Sequence, residues 1–395
     1  MISRFSVPHV RLIFAAVSLI MASKALASAP PADHVTAVTQ RVVEPLMRAQ
    51  EIPGMSVGIL MGDRTAVMNF GVASKASGKP VNGTTLFEVG SITKLLTATM
   101  ASWAVAQHRM RLSDTVGKFF PGLRSAPIGR VPVMDLATQT SGGLPLQVPD
   151  GVRTQRDLHN YLRRWEPGCP PGTCRTYSNV GIGLLGEVAA RSMGHAFPQI
   201  MQKQLLPALG MRHTYLDVPR EVWRDYAQGY TKLGAPIRMN PGLLADEAYG
   251  IRTTAADLLH FVELNLDPQS LPPSLRTAME QTRIRYVKSG SLTQDLVWEQ
   301  VPYPTPLSTL LAANSAEMIY KTTPATPLAH GSSPDDAVWI NKTGSTNGFS
   351  AYVAWIPERK LGIVMLANKN YPLDAEVTAA HAILSAVDQA MRVSH

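Results

Sequence analysis

Phe349-Ser350-Ala351-Tyr352-Val353-Ala354-Trp355-Ile356 and Leu361-Gly362-Ile363-Val364-Met365-Leu366 flank Pro357-Glu358-Arg359-Lys360. Two apolar runs around a short polar turn predict a β-hairpin. Near the other end of the chain, Met55 to Leu60 and Ala66 to Gly71 repeat the pattern, with Gly62-Asp63 at the turn. Between them lies a long middle region, about Arg111 to Pro306, of short helices and loops rich in Pro and Gly. Val35, Val38, Val42, Leu46 and Met47 fall at helical spacing within Asp33–Gln50, where Pro45 bends the end. A last helix is expected to start at Asp374 as its N-cap and to bury Val377, Ala380, Leu384, Val387 and Met391. Another, from Ser91 through Trp103, would turn Ile92, Leu95, Leu96, Thr99 and Trp103 inward. The fold expected is α+β, an antiparallel sheet built from both chain ends and flanked by helices, with a mainly helical lobe inserted.

The chain has 395 residues, 45% hydrophobic and 17% charged, which excludes a disordered polymer and permits a sizeable core. Arg4 and Arg11, the apolar run Leu12 to Met21 and the small-residue site Ala25-Leu26-Ala27 read as a signal peptide over residues 1–27. An uncleaved anchor is the other reading. Residues 28–395 would then form a single domain, with an α/β lobe from about 28–105 and 307–395 plus part of the middle. The net charge of +8 falls to +5 without Arg4, Arg11 and Lys24, and the remaining cations are scattered, so nucleic acid is not expected as a partner. Ten histidines show no metal-binding spacing, so no metal is expected. The only cysteines, Cys169 and Cys174, enclose Pro170-Pro171-Gly172-Thr173. An exported chain makes a disulfide the default, with two structural thiols as the alternative.

Chemistry concentrates in three short motifs, each present once. Ser91-Ile92-Thr93-Lys94 puts a hydroxyl and an amine one helical turn apart, which is what an activated serine nucleophile needs. Ser91 after Gly90 would open the helix, and its backbone N–H could hold a developing oxyanion. Alone, S-x-x-K arises by chance about once in a chain of this length, and a serine at a helix start is a common cap. Tyr177-Ser178-Asn179 precedes a predicted helix. A phenol near lysines can serve as a base, and Asn179 offers both a donor and an acceptor; the plain reading is a buried tyrosine and a capping asparagine. Lys342-Thr343-Gly344 lies where the C-terminal strand pair begins, with Gly344 permitting close approach to the backbone. Its plain reading is a polar turn before a strand.

Together these motifs resemble the signature of the penicillin-recognising serine enzymes, and Tyr-x-Asn in place of Ser-Asp-Asn resembles class C β-lactamases. The likeness extends to Ile52-Pro53-Gly54-Met55, Leu136-Ala137-Thr138, Ser141 to Asp150, Glu247-Ala248-Tyr249-Gly250 and Leu361 to Pro372. It implies a β-lactamase/transpeptidase-like fold and hydrolysis of cephalosporins and penicillins through an acyl-enzyme on Ser91. Lys94 and Tyr177 would share the proton work. The backbone N–H groups of Ser91 and Ser345 would form the oxyanion hole. Gln147 and Asn179 would hold the acylamino side chain, and Lys342, Thr343, Gly344 and Asn370 the carboxylate end. No cofactor, small-molecule partners only and a monomer are expected with it, while the leader, with no later apolar run of spanning length, makes a periplasmic location and no membrane span in the mature form the expectation. A related esterase or D-alanyl-D-alanine carboxypeptidase, or a non-catalytic β-lactam sensor, is the competing implication. Departures from the family pattern are Leu373 and Glu376 near the carboxylate end, Gln139 where a tyrosine is common, Asn341 before Lys342, and the cysteine pair.

Overall fold

A computed structural model describes residues 32–328 and 337–393, so the expected leader over residues 1–27 lies outside the described residues. The main sheet is antiparallel and nine-stranded. In chain order its strands are β1 (Gly54–Met61), β2 (Arg64–Gly71), β3 (Val287–Ser289), β4 (Leu292–Gln294), β5 (Glu299–Pro302), β6 (Thr326–Pro327), β7 (Val338–Ser345), β8 (Ser350–Ile356) and β9 (Leu361–Ala367). They are arranged β6-β3-β4-β5-β7-β8-β9-β1-β2. Both chain ends therefore meet at β9 and β1, where Met55 faces Ala367 and Met61 faces Leu361. Residues 287–302 of the middle region add three short strands on the far side of β7.

The hairpin 349–367 is apolar along its whole length because both faces of the sheet are covered. Tyr352, Ala354 and Ile356 feed one core, shared with helices α1 (Ala32–Ala49) and α7 (Leu373–Val393). Ala351, Val353 and Trp355 feed the other, shared with the helical lobe. That lobe is built around α2 (Thr93–Ala106), α3 (Asn179–Met193), the short α4 (Ala245–Ala248), α5 (Ala255–Leu266) and α6 (Pro273–Thr282). The period of two thus divides one apolar strand between two cores. No helix among the described residues is long and apolar enough to cross a membrane.

Three local expectations change. Ser91 does not open α2; it lies in a single 3-10 turn, Gly90–Ile92, that leads into it. The helix also has no single inner face, because Thr93 to Ser102 are all buried and Trp103 is half-buried. A helix with no charged residue after Lys94 runs through an interior rather than along a surface. Asp374 sits inside the first turn of α7, accepting from the Ala375 N–H at 2.9 Å, and its charge suits the positive end of the helix dipole.

Candidate active site

The 3-10 turn holding Ser91 presses against the end of β7. Gly90 has φ +49°, and a Cβ there would lie 2.3 Å from the Ser345 carbonyl oxygen. A Cβ on Gly344 would lie 2.1 Å from the Val89 carbonyl oxygen. Only glycine fits at either position, and together the two bring the backbones of Ser91 and Ser345 to one spot. Lys342-Thr343-Gly344 is therefore not a turn but part of β7, with Lys342 opposite Val353 and Thr343 opposite Tyr352 on β8. On its other side the pairing with β5 ends at Asn341, opposite Glu299, so the three residues form a local strand edge.

Lys94 is fully buried one turn after Ser91, and its Nζ donates to Ser91 Oγ at 2.8 Å and to the Ala248 carbonyl at 2.8 Å. Thr97 Oγ1 donates to the Glu247 carbonyl at 2.6 Å, and Thr93 Oγ1 accepts the Ile251 N–H at 3.1 Å. The segment around α4 thus clamps α2 along the turn that carries the lysine. Tyr177 sits among three cations, with Lys342 Nζ 5.0 Å, Lys94 Nζ 5.2 Å and the Arg175 guanidinium 5.8 Å from its ring centre. Its hydroxyl interacts with Ser91 and both lysines.

These neighbours set the proton affinities. Burial pulls the Lys94 ammonium down to about 8, the Tyr177 phenol opposing the shift and Lys342 adding to it. Burial alone would raise the Tyr177 phenol, but the charges of Lys342 and Lys94 outweigh it and hold the phenol below its ordinary value. Lys342 goes the other way. Burial disfavours its charge, yet the Glu299 carboxylate and Tyr177 keep its affinity for a proton above normal. An amine and a phenol both held below their ordinary values, and both against a serine hydroxyl, are suited to relay its proton.

The motifs alone did not point to Glu299 or Arg175. Glu299 Oε1 accepts from Arg175 Nη2 at 2.7 Å and its Oε2 lies 3.7 Å from Lys342 Nζ, all three groups being buried. Arg175 also donates to Gln294 Oε1 at 2.9 Å and to the Met318 carbonyl at 2.7 Å. The one available signal was an acid inside the apolar stretch Val297-Trp298-Glu299-Gln300-Val301. Asn341 Nδ2 donates to the Glu299 backbone carbonyl at 3.0 Å and Asn341 Oδ1 accepts from Tyr352 Oη at 3.1 Å, so this departure is a strand-to-strand tie beside Lys342.

Gln147 and Asn179 meet, Nδ2 of Asn179 donating to Oε1 of Gln147 at 3.0 Å. Ser178, not Asn179, caps α3, its Oγ accepting the Gly181 N–H at 2.9 Å. Gln139 is buried at φ +63° and grips both flanks of Tyr177. Its carbonyl accepts the Thr176 N–H and its Oε1 the Ser178 N–H, each at 2.8 Å. Cys169 and Cys174 form a disulfide three residues before Tyr177. The loop it closes is tied to the segment following Gln139 by Gly172 N–H to the Thr140 carbonyl (2.8 Å) and Gly168 N–H to the Gly142 carbonyl (2.9 Å).

One open cleft of about 980 Å³ is bordered by Ser91, Gln147, Tyr177, Asn179, Lys342 and Thr343. Gly344, Ser345 and Asn370 border it too. Asn370 Nδ2 donates to the Thr346 carbonyl at 2.6 Å. Leu373 and Glu376 reach its far end from the first turn of α7, where burial pushes the Glu376 carboxyl well above the ordinary range despite the Tyr371 hydroxyl. That end thus presents an apolar side chain and a carboxyl whose hold on its proton is strengthened by burial. No group of three or more His, Cys, Asp or Glu among the described residues could hold a metal ion. A serine against a shared amine–phenol base, beside two backbone amides and a buried lysine, is suited to acyl transfer.

Residues 39–388 match the Beta-lactamase family model. A beta-lactamase of Pseudomonas fluorescens is 44% identical over 361 residues, covering 91% of this chain and 100% of the relative. Among solved structures, a D-alanine carboxypeptidase from Burkholderia cenocepacia is 47% identical with a TM-score of 0.86, over 90% of this chain and 99% of the other. A class C beta-lactamase in complex with cefoxitin is 43% identical with a TM-score of 0.87, over 89% and 98%.

Proposed function

The chain belongs to the beta-lactamase family, and from that premise we propose that it is a class C serine enzyme whose acyl-enzyme forms on Ser91. It hydrolyses the amide bond of β-lactams, the activity its relatives are named for. The observation that carries the assignment of roles is the contact of Lys94 Nζ with Ser91 Oγ at 2.8 Å beside the Tyr177 phenol. Ser91 Oγ attacks the lactam carbonyl as its proton passes to the Lys94–Tyr177 pair. The backbone N–H groups of Ser91 and Ser345 take the charge that develops on the carbonyl oxygen. The pair then returns a proton to the lactam nitrogen, the C–N bond breaks, and a water activated at Tyr177 releases the product acid. Gln147 and Asn179 orient the acylamino side chain. Lys342, Thr343 and Asn370 face the substrate carboxylate, with Lys342 kept charged by Glu299.

Steady-state hydrolysis of a chromogenic cephalosporin tests this reading. Many turnovers per enzyme are expected. A single stoichiometric burst would overturn it in favour of an acylated sensor or a transpeptidase-like enzyme. A second reading, D-alanine carboxypeptidase, is favoured by two structural relatives that carry that name. Release of D-alanine from a D-Ala-D-Ala peptide, measured on the same preparation, should be slower than cephalosporin turnover. The N-terminal segment supports export to the periplasm, which fractionation of expressing cells would check.

Gln139 supplies a milder prediction. Gln139→Ala leaves the Ser178 N–H without its acceptor and frees the backbone beyond Tyr177. Misplacing a reacting group by about 1 Å can cost about 100-fold, so a smaller shift here should cost about 10-fold. The expected loss is in kcat, with KM nearly unchanged, because Gln139 is not among the cleft-lining residues.

A further inference from the structure

Glu88 is completely buried three residues before Ser91. A buried carboxylate is costly unless donors surround it, and this one collects them from three distant segments. Its Oε1 accepts from the Tyr226 hydroxyl and from the Met239 N–H at 2.8 Å; its Oε2 accepts from Thr346 Oγ1 at 2.6 Å. Thr346 is the residue after Ser345, at the turn where β7 leaves the sheet. Its N–H donates to the Phe349 carbonyl at 3.0 Å and its own carbonyl accepts Asn370 Nδ2 at 2.6 Å. The Glu88–Thr346 bond therefore bridges the two chain segments that meet at Gly90 and Ser345, where the Gly90 backbone packs directly on Ser345.

We propose that Glu88 is a positioning residue for acyl transfer. Through Thr346 it sets the separation of the Ser91 and Ser345 backbone N–H groups that grip the developing oxyanion. The inference rests on the function proposed above. The arms of the clasp differ in what they touch. The Thr346 arm holds β7 to the nucleophile turn. The Tyr226 arm holds Glu88 to the loop on the other side, where Arg252 Nε also donates to Tyr226 Oη at 3.3 Å. Both arms add to fold stability, but only the first fixes the gap between the two amides.

Cutting each arm separately tests the assignment. Thr346→Val removes the hydroxyl and keeps the shape; Tyr226→Phe removes the hydroxyl of the opposite arm and leaves the Met239 N–H in place. Loss of one oxyanion donor costs about 100- to 1,000-fold, so partial misalignment in Thr346→Val should lower kcat about 10- to 100-fold with KM little changed. A boronic acid that forms a tetrahedral adduct with Ser91 should lose affinity by a similar factor, because it reports the transition-state geometry. Thr346→Ser, which keeps the hydroxyl, should restore both. Tyr226→Phe should lower the melting temperature while kcat stays within about twofold, a structural effect without misalignment. Thr346→Val with wild-type kcat and boronate affinity would overturn the proposal, as would the two variants losing kcat in step with their melting temperatures. An active wild type with an unaffected Thr346→Val strikes only the clasp. A wild type that never turns over strikes the functional reading itself.

Discussion

Ser91→Ala is expected to lower kcat for a chromogenic cephalosporin by on the order of 10⁵-fold, in line with removal of the nucleophile from other serine acyl-transfer enzymes. The protein should still fold, since Ser91 is only partly buried and accepts a single hydrogen bond, from Lys94. It should still bind substrate, because Gln147, Asn179, Lys342 and Thr343 are untouched. Lys94→Ala should cost nearly as much, since it deletes the amine that touches the hydroxyl and the charge that holds the Tyr177 phenol down. The double variant should be little worse than either single one, because groups acting as a unit are not additive. Near-wild-type turnover in Ser91→Ala, measured after removing any contaminating hydrolase, would place the nucleophile elsewhere.

The pH profile tests the shared base by sign. Burial brings Lys94 to about 8, and Tyr177 opposes that fall. Acylation needs one of the pair unprotonated, so kcat/KM should rise tenfold per pH unit on the acid side and level off as the pair titrates. In Tyr177→Phe the interaction that opposes the fall of Lys94 is gone, so the Lys94 amine, followed directly by NMR titration, should lose its proton at lower pH than in the intact pair, while the maximal rate falls. A Lys94 titration that moves upward would contradict the arrangement of charges around the phenol.

What could be read from the sequence was whatever is local. The strands at 54–71 and 349–367 announce themselves by continuous apolar runs with a turn between, and the protein forms them with the expected pairing. Ser91 and Lys94, one turn apart, needed only helix geometry to be put in contact. Lys342-Thr343-Gly344 was placed at the start of the C-terminal strand pair, and its polarity, which also suits a turn, has a different origin: it pairs with β8 alone, the pairing with β5 having ended at Asn341, and it borders a cleft rather than a core. Strands β3, β4 and β5 are three or four residues long and carry no usable period. Glu88, Arg175 and Glu299 were invisible for a different reason. Each gains its meaning from a partner more than a hundred residues away, as in Glu88 with Thr346 or Arg175 with Glu299. No window along the chain contains both members.

The Glu299 network carries the second large effect, and it bears on stability as much as on catalysis. Glu299→Ala strands two cations, Arg175 and Lys342, in a buried site where one carboxylate served both. Breaking a buried ion pair from one side costs about 3–5 kcal/mol. For a chain of this size that corresponds to a fall in melting temperature on the order of 5–10 °C. Lys342 would also lose the group that opposes its desolvation, so its proton affinity should drop and with it the positive charge facing the substrate carboxylate. KM should therefore rise as well, most steeply at alkaline pH. The companion variant separates these two consequences. Glu299→Leu combined with Arg175→Met replaces the ion pair by apolar volume, a change that is often neutral or favourable to stability. It should recover much of the melting temperature while KM stays high, because nothing in it restores a counter-charge to Lys342. If both quantities recovered together, the role of Glu299 would be confined to neutralising Arg175, and Lys342 would have to draw its charge from Tyr177 alone.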